Sequence, residues 1–260
     1  MTAPHPALEA RRLVVAYDGR VVVDGVDLAL REGSFTVILG PNASGKSTVL
    51  RALARVLRPE SGDVLFDGRA VGEYGSKELA RRMGLLPQDA IAPEGMRVAD
   101  LVSRGRYPHH SGLQRWSSVD DDATRDALVA TNTAELSERY VDQLSGGQRQ
   151  RVWIALLLAQ QTPVMLLDEP TTFLDIAHQY ELLDLLRSLN GGGKTVIAVL
   201  HDLNQAARYA DHLVLMKEGR VVATGAPSEL LTEERVAEVF GLDALVTPDP
   251  VTGTPMVVRR

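Results

Sequence analysis

The stretch FTVILGPNASGKSTVLRALARV, Phe35 to Val56, decides the fold. Its first five residues are apolar or β-branched, as in a strand buried on both faces. Nine residues follow, GPNASGKST from Gly40 to Thr48, that satisfy G-x-x-x-x-G-K-[ST]. A helix-forming segment then runs from Thr48 to Val56. Strand, glycine-rich loop and helix in that order make a phosphate-binding loop. Gly40 and Gly45 let the backbone turn tightly, so that the loop of Pro41, Asn42, Ala43 and Ser44 wraps the phosphates, and successive N–H groups of the loop, which Pro41 lacks, and of the helix start point at phosphate oxygens. Lys46 is expected to reach the β- and γ-phosphates, and the Ser47 hydroxyl to coordinate Mg²⁺.

Outward from this loop the chain alternates strands and helices. On the N-terminal side, LVVAY (Leu13 to Tyr17) and VVVDGVDLAL (Val21 to Leu30) read as antiparallel strands joined by a turn at Asp18 and Gly19. Downstream, VMLL (Val164 to Leu167) and VIAVL (Val196 to Leu200) are continuous apolar strands of a parallel sheet covered on both faces. A stripe of Ile176, Tyr180, Leu183 and Leu186 predicts a helix over Ile176 to Leu189, ended by Gly191 to Gly193. Ser118 with Asp121 resembles a capping box, and Asp120 and Asp122 add negative charge at that helix start. Asp89 to Gln143 lacks strand-like runs and holds Pro93, Pro108, His109, His110, Arg106 and Arg115. It reads as a mainly helical insertion into an α/β core. After Gly241 the chain is expected to end as a final strand and tail.

The whole-chain arithmetic bounds the class. The chain has 260 residues, 45% apolar and 24% charged, with a formal charge of -6. That is globular, and the acidic excess offers no footprint for sequence-independent DNA binding. The absence of cysteine excludes a disulfide scaffold, a thiol nucleophile and cysteine-ligated metals. MTAPHPALEARR has no apolar core of a secretory signal. The longest apolar run, VWIALLLA (Val152 to Ala159), is far shorter than the ~20 residues that span a bilayer. The chain by itself is expected to be soluble and cytoplasmic.

Two further strings carry chemistry. VMLLDEP ends a buried strand on Asp168 and Glu169, at the strand end where open α/β sheets bind ligands. Successive side chains diverge, so Asp168 suits a metal role while Glu169 suits a general base or water-positioning role. An acidic pair before a proline is also an ordinary strand exit. LSGGQRQR, Leu144 to Arg151, opens the apolar helix Val152 to Gln160. Ser145 is a good N-cap, and Gly146 and Gly147 leave first-turn N–H groups uncovered, a second anion site completed by Gln148.

LSGGQ between the phosphate loop and LLDEP resembles the ATP-binding cassette (ABC) ATPases along essentially the whole chain. The resemblance implies a P-loop ATPase core of mostly parallel sheet with helices on both faces, an N-terminal antiparallel β subdomain and a helical subdomain. Residues 1–88 and 160–240 would form the β subdomain and core, 89–159 the helical subdomain with the signature, and 241–260 a tail, together one nucleotide-binding domain. It implies ATP and Mg²⁺ as ligands, with Ser47, Gln88 and Asp168 at the metal. Tyr17 matches the adenine-stacking aromatic, although an ordinary aromatic strand residue reads the same way. Gln88 in LLPQD, after the strand Met83 to Leu86, matches the glutamine that contacts Mg²⁺ and the attacking water. Asp175 in TTFLD matches the loop aspartate that crosses to a partner, and equally a helix N-cap. His201 after VIAVL matches the switch histidine that holds the γ-phosphate, which makes it a catalytic residue with Glu169 and Gln88.

Ala43 replaces a frequent glycine, tolerable if its φ is negative. Thr172 and Phe173 stand where serine and alanine are common, with no expected cost to chemistry.

The resemblance further implies a head-to-tail homodimer with each ATP between Lys46 of one copy and Ser145 and Gly147 of the other. RGRYPHHS (Arg104 to Ser111), DEPTTFLDIAHQ and VLHDLNQAARYADHL look like the ferric-siderophore importer ATPases, with relatives serving haem and vitamin B12. The implied partners are integral membrane permease subunits and, indirectly, a substrate-binding protein. The implied place is the cytoplasmic face of the membrane, peripherally attached. A soluble ABC protein acting on DNA or ribosomes is disfavoured by the absence of coiled-coil insertions and tandem cassettes. A small-molecule kinase or GTPase leaves LSGGQ unexplained, and no N-K-x-D string occurs.

Overall fold

The computed structural model describes residues 6–110 and 116–260. Ser111 and Arg115, which the sequence places in the insertion, and the N-terminal MTAPH lie outside the described residues. In chain order the elements are β1 (Pro6–Tyr17), β2 (Arg20–Arg31), β3 (Phe35–Leu39), α1 (Lys46–Leu53), β4 (Ser61–Phe66), β5 (Arg69–Ala70) and α2 (Ser76–Ala80). There follow β6 (Met83–Leu86), α3 (Val98–Ser103), α4 (Ser118–Ala130), α5 (Gly146–Ala159), β7 (Val164–Asp168) and α6 (Ile176–Gly191). The last third holds β8 (Thr195–Val199), α7 (Leu203–Tyr209), β9 (His212–Lys217), β10 (Arg220–Gly225), α8 (Pro227–Leu230), α9 (Glu233–Phe240), β11 (Ala244–Pro248) and β12 (Pro255–Arg259). Cα packing divides the chain into one unit of Met1–Glu73 with Asn190–Arg260 and another of Tyr74–Leu189.

In the first unit β1 and β2 form the expected hairpin. Its turn residues Asp18 and Gly19 take φ 49 and 78, the doubly left-handed turn that matches strand twist. β4 pairs antiparallel with the other side of β1, giving the order β2-β1-β4-β5. Separately, β3 lies between β8 and β9, parallel to both, and β10 returns antiparallel on β9. Every residue of β3 and β8 is buried, which is why these runs are continuous rather than alternating. The tail differs from a single strand. β11 and β12 close a five-pair antiparallel hairpin, and Asn204 on α7 binds the backbone N–H and C=O of Val257 at its rim.

In the second unit β6 and β7 pair in parallel, Met83 opposite Val164 and Leu86 opposite Leu167. The insertion is helical as expected, its core made where Val98, Val102, Leu128, Val141, Val152 and Ala155 meet. The cap of α4 lies one residue earlier than the sequence suggests. Ser117 is the N-cap, and its N–H and hydroxyl both donate to Asp120 Oδ2, at 3.0 and 2.7 Å. Asp120 is therefore more than a helix-end charge. It is 5% exposed and receives Arg106 Nε at 3.0 Å, while Arg106, 4% exposed, also donates to Ala159 O and Gln161 Oε1 at 2.9 Å.

RGRYPHHS is thus partly an internal clamp, not a wholly solvated basic loop. A Cβ at Gly105 would stand 2.4 Å from Leu156 O, so only glycine lets the segment close over the end of α5. Tyr107 by contrast is exposed, with Lys77 over its ring. Among the described residues no helix is long and apolar enough to cross a membrane.

Candidate functional site

The phosphate loop leaves β3 at Gly40, whose backbone packs so closely that a Cβ would lie 2.2 Å from Met216 O. Gly45, at φ 95, is the N-cap of α1 and carries no side-chain cap, so the first-turn N–H groups have no competing acceptor from the cap residue. Helix α1 starts at Lys46 rather than Thr48, which puts Ser47 and Thr48 in that first turn. The Lys46 ammonium, 5% exposed, donates to Gly40 O and Pro41 O at 2.9 Å each, which holds its charge inside the loop. Ser44 Oγ is buried and has no hydrogen-bond partner among the described residues. An orphaned hydroxyl within a ring of N–H donors and an ammonium fits an anionic oxygen ligand. Asn42 and Ala43 form the exposed tip. Ala43 takes φ 61, so the condition for tolerating its methyl is not met, and the loop carries left-handed strain there.

His201 follows β8, and Leu200 N donates to Ile38 O at 3.3 Å, so the loops after β3 and β8 leave from one sheet edge. His201 is exposed. Tyr17, 41% exposed, ends β1 at the hairpin turn.

Asp168 ends β7 fully buried, and Glu169, the next residue, takes φ 53. Backbone strain of this kind gathers at functional sites. Glu169 Oε2 receives Gln88 Nε2 at 2.8 Å and Thr172 Oγ1 at 3.4 Å. Gln88 and Glu169 meet because β6 and β7 are parallel neighbours, so their C-terminal ends lie side by side. Thr172, three residues after Glu169 across a turn, is expected from sequence only as a replacement without cost to chemistry; its bond to Glu169 is signalled locally by the i, i+3 spacing alone.

Ser145 caps α5 reciprocally with Gln148, whose N–H donates to Ser145 Oγ at 3.3 Å and whose side-chain oxygen receives Ser145 N–H at 3.1 Å. One of the N–H groups read as uncovered is therefore already satisfied. Gly146 and Gly147 lie against the loop after Glu169: a Cβ at Gly147 would be 3.3 Å from Leu174 Cδ2. Asp175 is seen as the cap of α6, accepting His178 N–H at 3.0 Å and pairing with His178 Nδ1 at 2.7 Å. The His178 backbone N–H, then its ring, hold the Asp175 carboxyl below the usual range. His178, also absent from the sequence reading, is signalled by the three-residue capping interval.

The donor set proposed for Mg²⁺, a serine hydroxyl, a carboxylate and an amide oxygen, is all hard oxygen and suits that ion. No group of three or more His, Asp or Glu among the described residues could hold a metal unaided. The set fits an ion that arrives with phosphate oxygens.

A family model described as ABC transporter matches residues 23–172. The ferric enterobactin transport ATP-binding protein FepC of Escherichia coli K12 is 49% identical over 259 residues, 99% of this chain and 96% of its own. Among solved structures, an inward-facing metal-chelate type ABC transporter superposes with TM-score 0.83 at 28% identity, covering 98% of each chain. The bacterial ABC transporter cassette MJ0796, solved as a dimer, superposes with TM-score 0.77 at 28% identity, covering 84% of this chain and 98% of that one.

Proposed function

The chain belongs to the ABC transporter family, and from that premise we propose that it is the ATP-hydrolysing subunit of an importer that energises uptake of ferric-siderophore complexes through a partner permease. It is an ABC ATPase, with the fold and full-length similarity of the transport ATP-binding subunits. The observation that carries the hydrolytic reading is Glu169, strained at the end of a buried strand and held at 2.8 Å by Gln88.

In this proposal Gly40 to Thr48 bind the ATP phosphates, Lys46 neutralises their charge, and Tyr17 stacks on adenine. Glu169 orients the attacking water and takes its proton, Gln88 orients Glu169, and His201 steadies the γ-phosphate. Ser47, Asp168 and Gln88 would hold Mg²⁺, whose chemistry is to neutralise charge on the phosphate oxygens. Ser145, Gly146, Gly147 and Gln148 of one copy meet the nucleotide of the second copy, and Asp175 crosses with them. Residues 89–159 act as the helical subdomain between the two parts of the core, 1–88 and 160–240, with 241–260 as the tail. The subunit sits peripherally on the cytoplasmic face of the membrane, bound to permease subunits that a substrate-binding protein supplies.

Ferric siderophores are preferred over haem or cobalamin because the sequence resemblance and the ferric enterobactin relative agree. Glu169→Gln is expected to bind ATP as the unmodified protein does and to lose turnover, whereas Lys46→Ala loses binding itself. Undiminished hydrolysis by Glu169→Gln would remove Glu169 from its role. For the cargo, a deletion strain without a redundant ATPase should lose ferric-siderophore uptake; retained uptake would refute the substrate assignment.

A further inference from the structure

His201 stands between two neighbours that are held in different ways. On its N-terminal side Leu200 is buried and donates its N–H to Ile38 O at 3.3 Å, so the sheet fixes that side. On its C-terminal side α7 begins outside the core: Asp202 and Asn204 are exposed, whereas Ala206 and Ala207 are buried. Asp202 caps the helix, its Oδ1 accepting the N–H groups of Asn204 and Gln205 at 2.7 and 2.8 Å. That cap ties the first turn to itself. A tie to the rest of the unit comes from the tail. Val257 N–H donates to Asn204 Oδ1 at 2.7 Å, and Asn204 Nδ2 donates to Val257 O at 3.2 Å. The carboxamide thus pairs with one residue of β12 as a neighbouring strand would, through both a donor and an acceptor. The N–H groups of Thr252 and Val251 hold the Asp249 carboxyl below its usual range, and the charge of Arg208, one turn beyond Asn204 on the same face of α7, adds to them. The hairpin is anchored in turn. Arg260 pairs with Glu233 at 2.8 Å and with Asp243 at 3.1 Å, Val246 N–H donates to Glu233 Oε1 at 3.4 Å, and α9, which carries Glu233, buries Val236 and Val239.

We propose that the tail hairpin is a positioning element for ATP hydrolysis, in which Asn204, paired with Val257, holds the first turn of α7 and so sets where His201 stands. The inference rests on the reading above, in which His201 steadies the γ-phosphate. Only the cap Asp202 and Leu203 lie between His201 and Asn204, so a shift of that turn passes to His201 along a short, constrained stretch. Asn204 touches no phosphate in this role. It is a positioning residue that acts through the histidine, and the anchored hairpin gives it a fixed point to act from.

The test is steady-state ATP hydrolysis by the full chain in a double-mutant cycle of Asn204→Ala and His201→Ala. Misplacement of a reacting group by about 1 Å costs on the order of a hundredfold, so Asn204→Ala, which removes both bonds to Val257, should lower kcat by about tenfold and leave KM within about twofold. His201→Ala should itself lower kcat by about a hundredfold. In that background Asn204→Ala should cost less than about twofold more, because the group it positions is gone. Asn204→Asp keeps the acceptor for Val257 N–H and should stay within about threefold of the unmodified rate. Val251→Ala, in the exposed turn of the hairpin, should match the unmodified protein. An Asn204→Ala protein with unchanged kcat overturns the inference and leaves the role of His201 standing. The same tenfold loss in both backgrounds, or a loss confined to KM, also overturns it, since Asn204 would then act on the fold at large. A His201→Ala protein that hydrolyses ATP at the unmodified rate overturns both the inference and the reading of His201.

Discussion

Replacing Asp120 by alanine should destabilise the Tyr74–Leu189 unit by about 4 kcal/mol, because it strands a buried cation. Arg106 is 4% exposed, and among the described residues Asp120 is the carboxylate hydrogen-bonded to it, at 3.0 Å. Its other acceptors, Ala159 O and Gln161 Oε1 at 2.9 Å, are neutral and remain. Two unit charges about 4 Å apart attract by about 4 kcal/mol at an effective dielectric near 20. Removing one member of such a buried pair costs about 3–5 kcal/mol. Loss of the acceptor for the Ser117 cap, about 1 kcal/mol, falls within that range. The chain's two tryptophans, Trp116 and Trp153, both lie in this unit, so indole emission in urea reports it. With a slope near 2 kcal/mol/M, the midpoint should fall by roughly 2 M. The double variant Arg106→Met with Asp120→Leu removes both charges and should lose less than Asp120→Ala alone. A loss under about 1 kcal/mol for Asp120→Ala, or a double variant worse than the two single changes combined, would refute the buried-pair argument.

Other expectations follow from single observations. Burial would raise the Asp120 carboxyl, but hydrogen bonds from Ser117 and Arg106 outweigh it and lower it from 3.8 to about 2. A depressed folded value means that its stabilisation is complete above about pH 4 and drains away as pH falls towards 2. Acid titration of indole emission should show this loss in the natural sequence and not in Asp120→Asn; equal slopes in the two would contradict it. Ala43→Gly should raise stability by about 0.5–1 kcal/mol, since relief of roughly 1–2 kcal/mol of left-handed strain exceeds the added freedom of the unfolded chain. Calorimetry in which Ala43→Gly melts earlier would mean that the φ of 61 carries no strain.

Much of the fold was legible because its signals are local. β3 and β6 fall on Phe35–Leu39 and Met83–Leu86 as the apolar runs predict, and α6 ends at the glycines that stop it. The sequence reading assigns no strand to β4, β5, β9 or β10; of these, β9 and β10 are joined through Glu218 and Gly219, both at positive φ, in a turn without the Asn-Gly or Asp-Gly pattern. The tail hairpin was read as one strand because Pro248 and Pro255 interrupt its alternation. The cap of α4 was misplaced by one residue because Ser117 and Ser118 are both capping types and only backbone geometry chooses between them.

Sequence alone determined the phosphate loop, the signature helix start, the acidic strand end and the family, since each is a short string whose chemistry depends on neighbours along the chain. Tertiary structure decided which distant groups meet. The parallel register of β6 and β7 joins Gln88 to Glu169 across 81 positions. Helix packing turns Arg106 from a surface charge into a buried clamp on Asp120 and the end of α5. The loop after Glu169 leaves Phe173 outside, strained and uncovered. Spacing along a chain sets local backbone geometry, but burial and pairing depend on what the folded elements bring alongside.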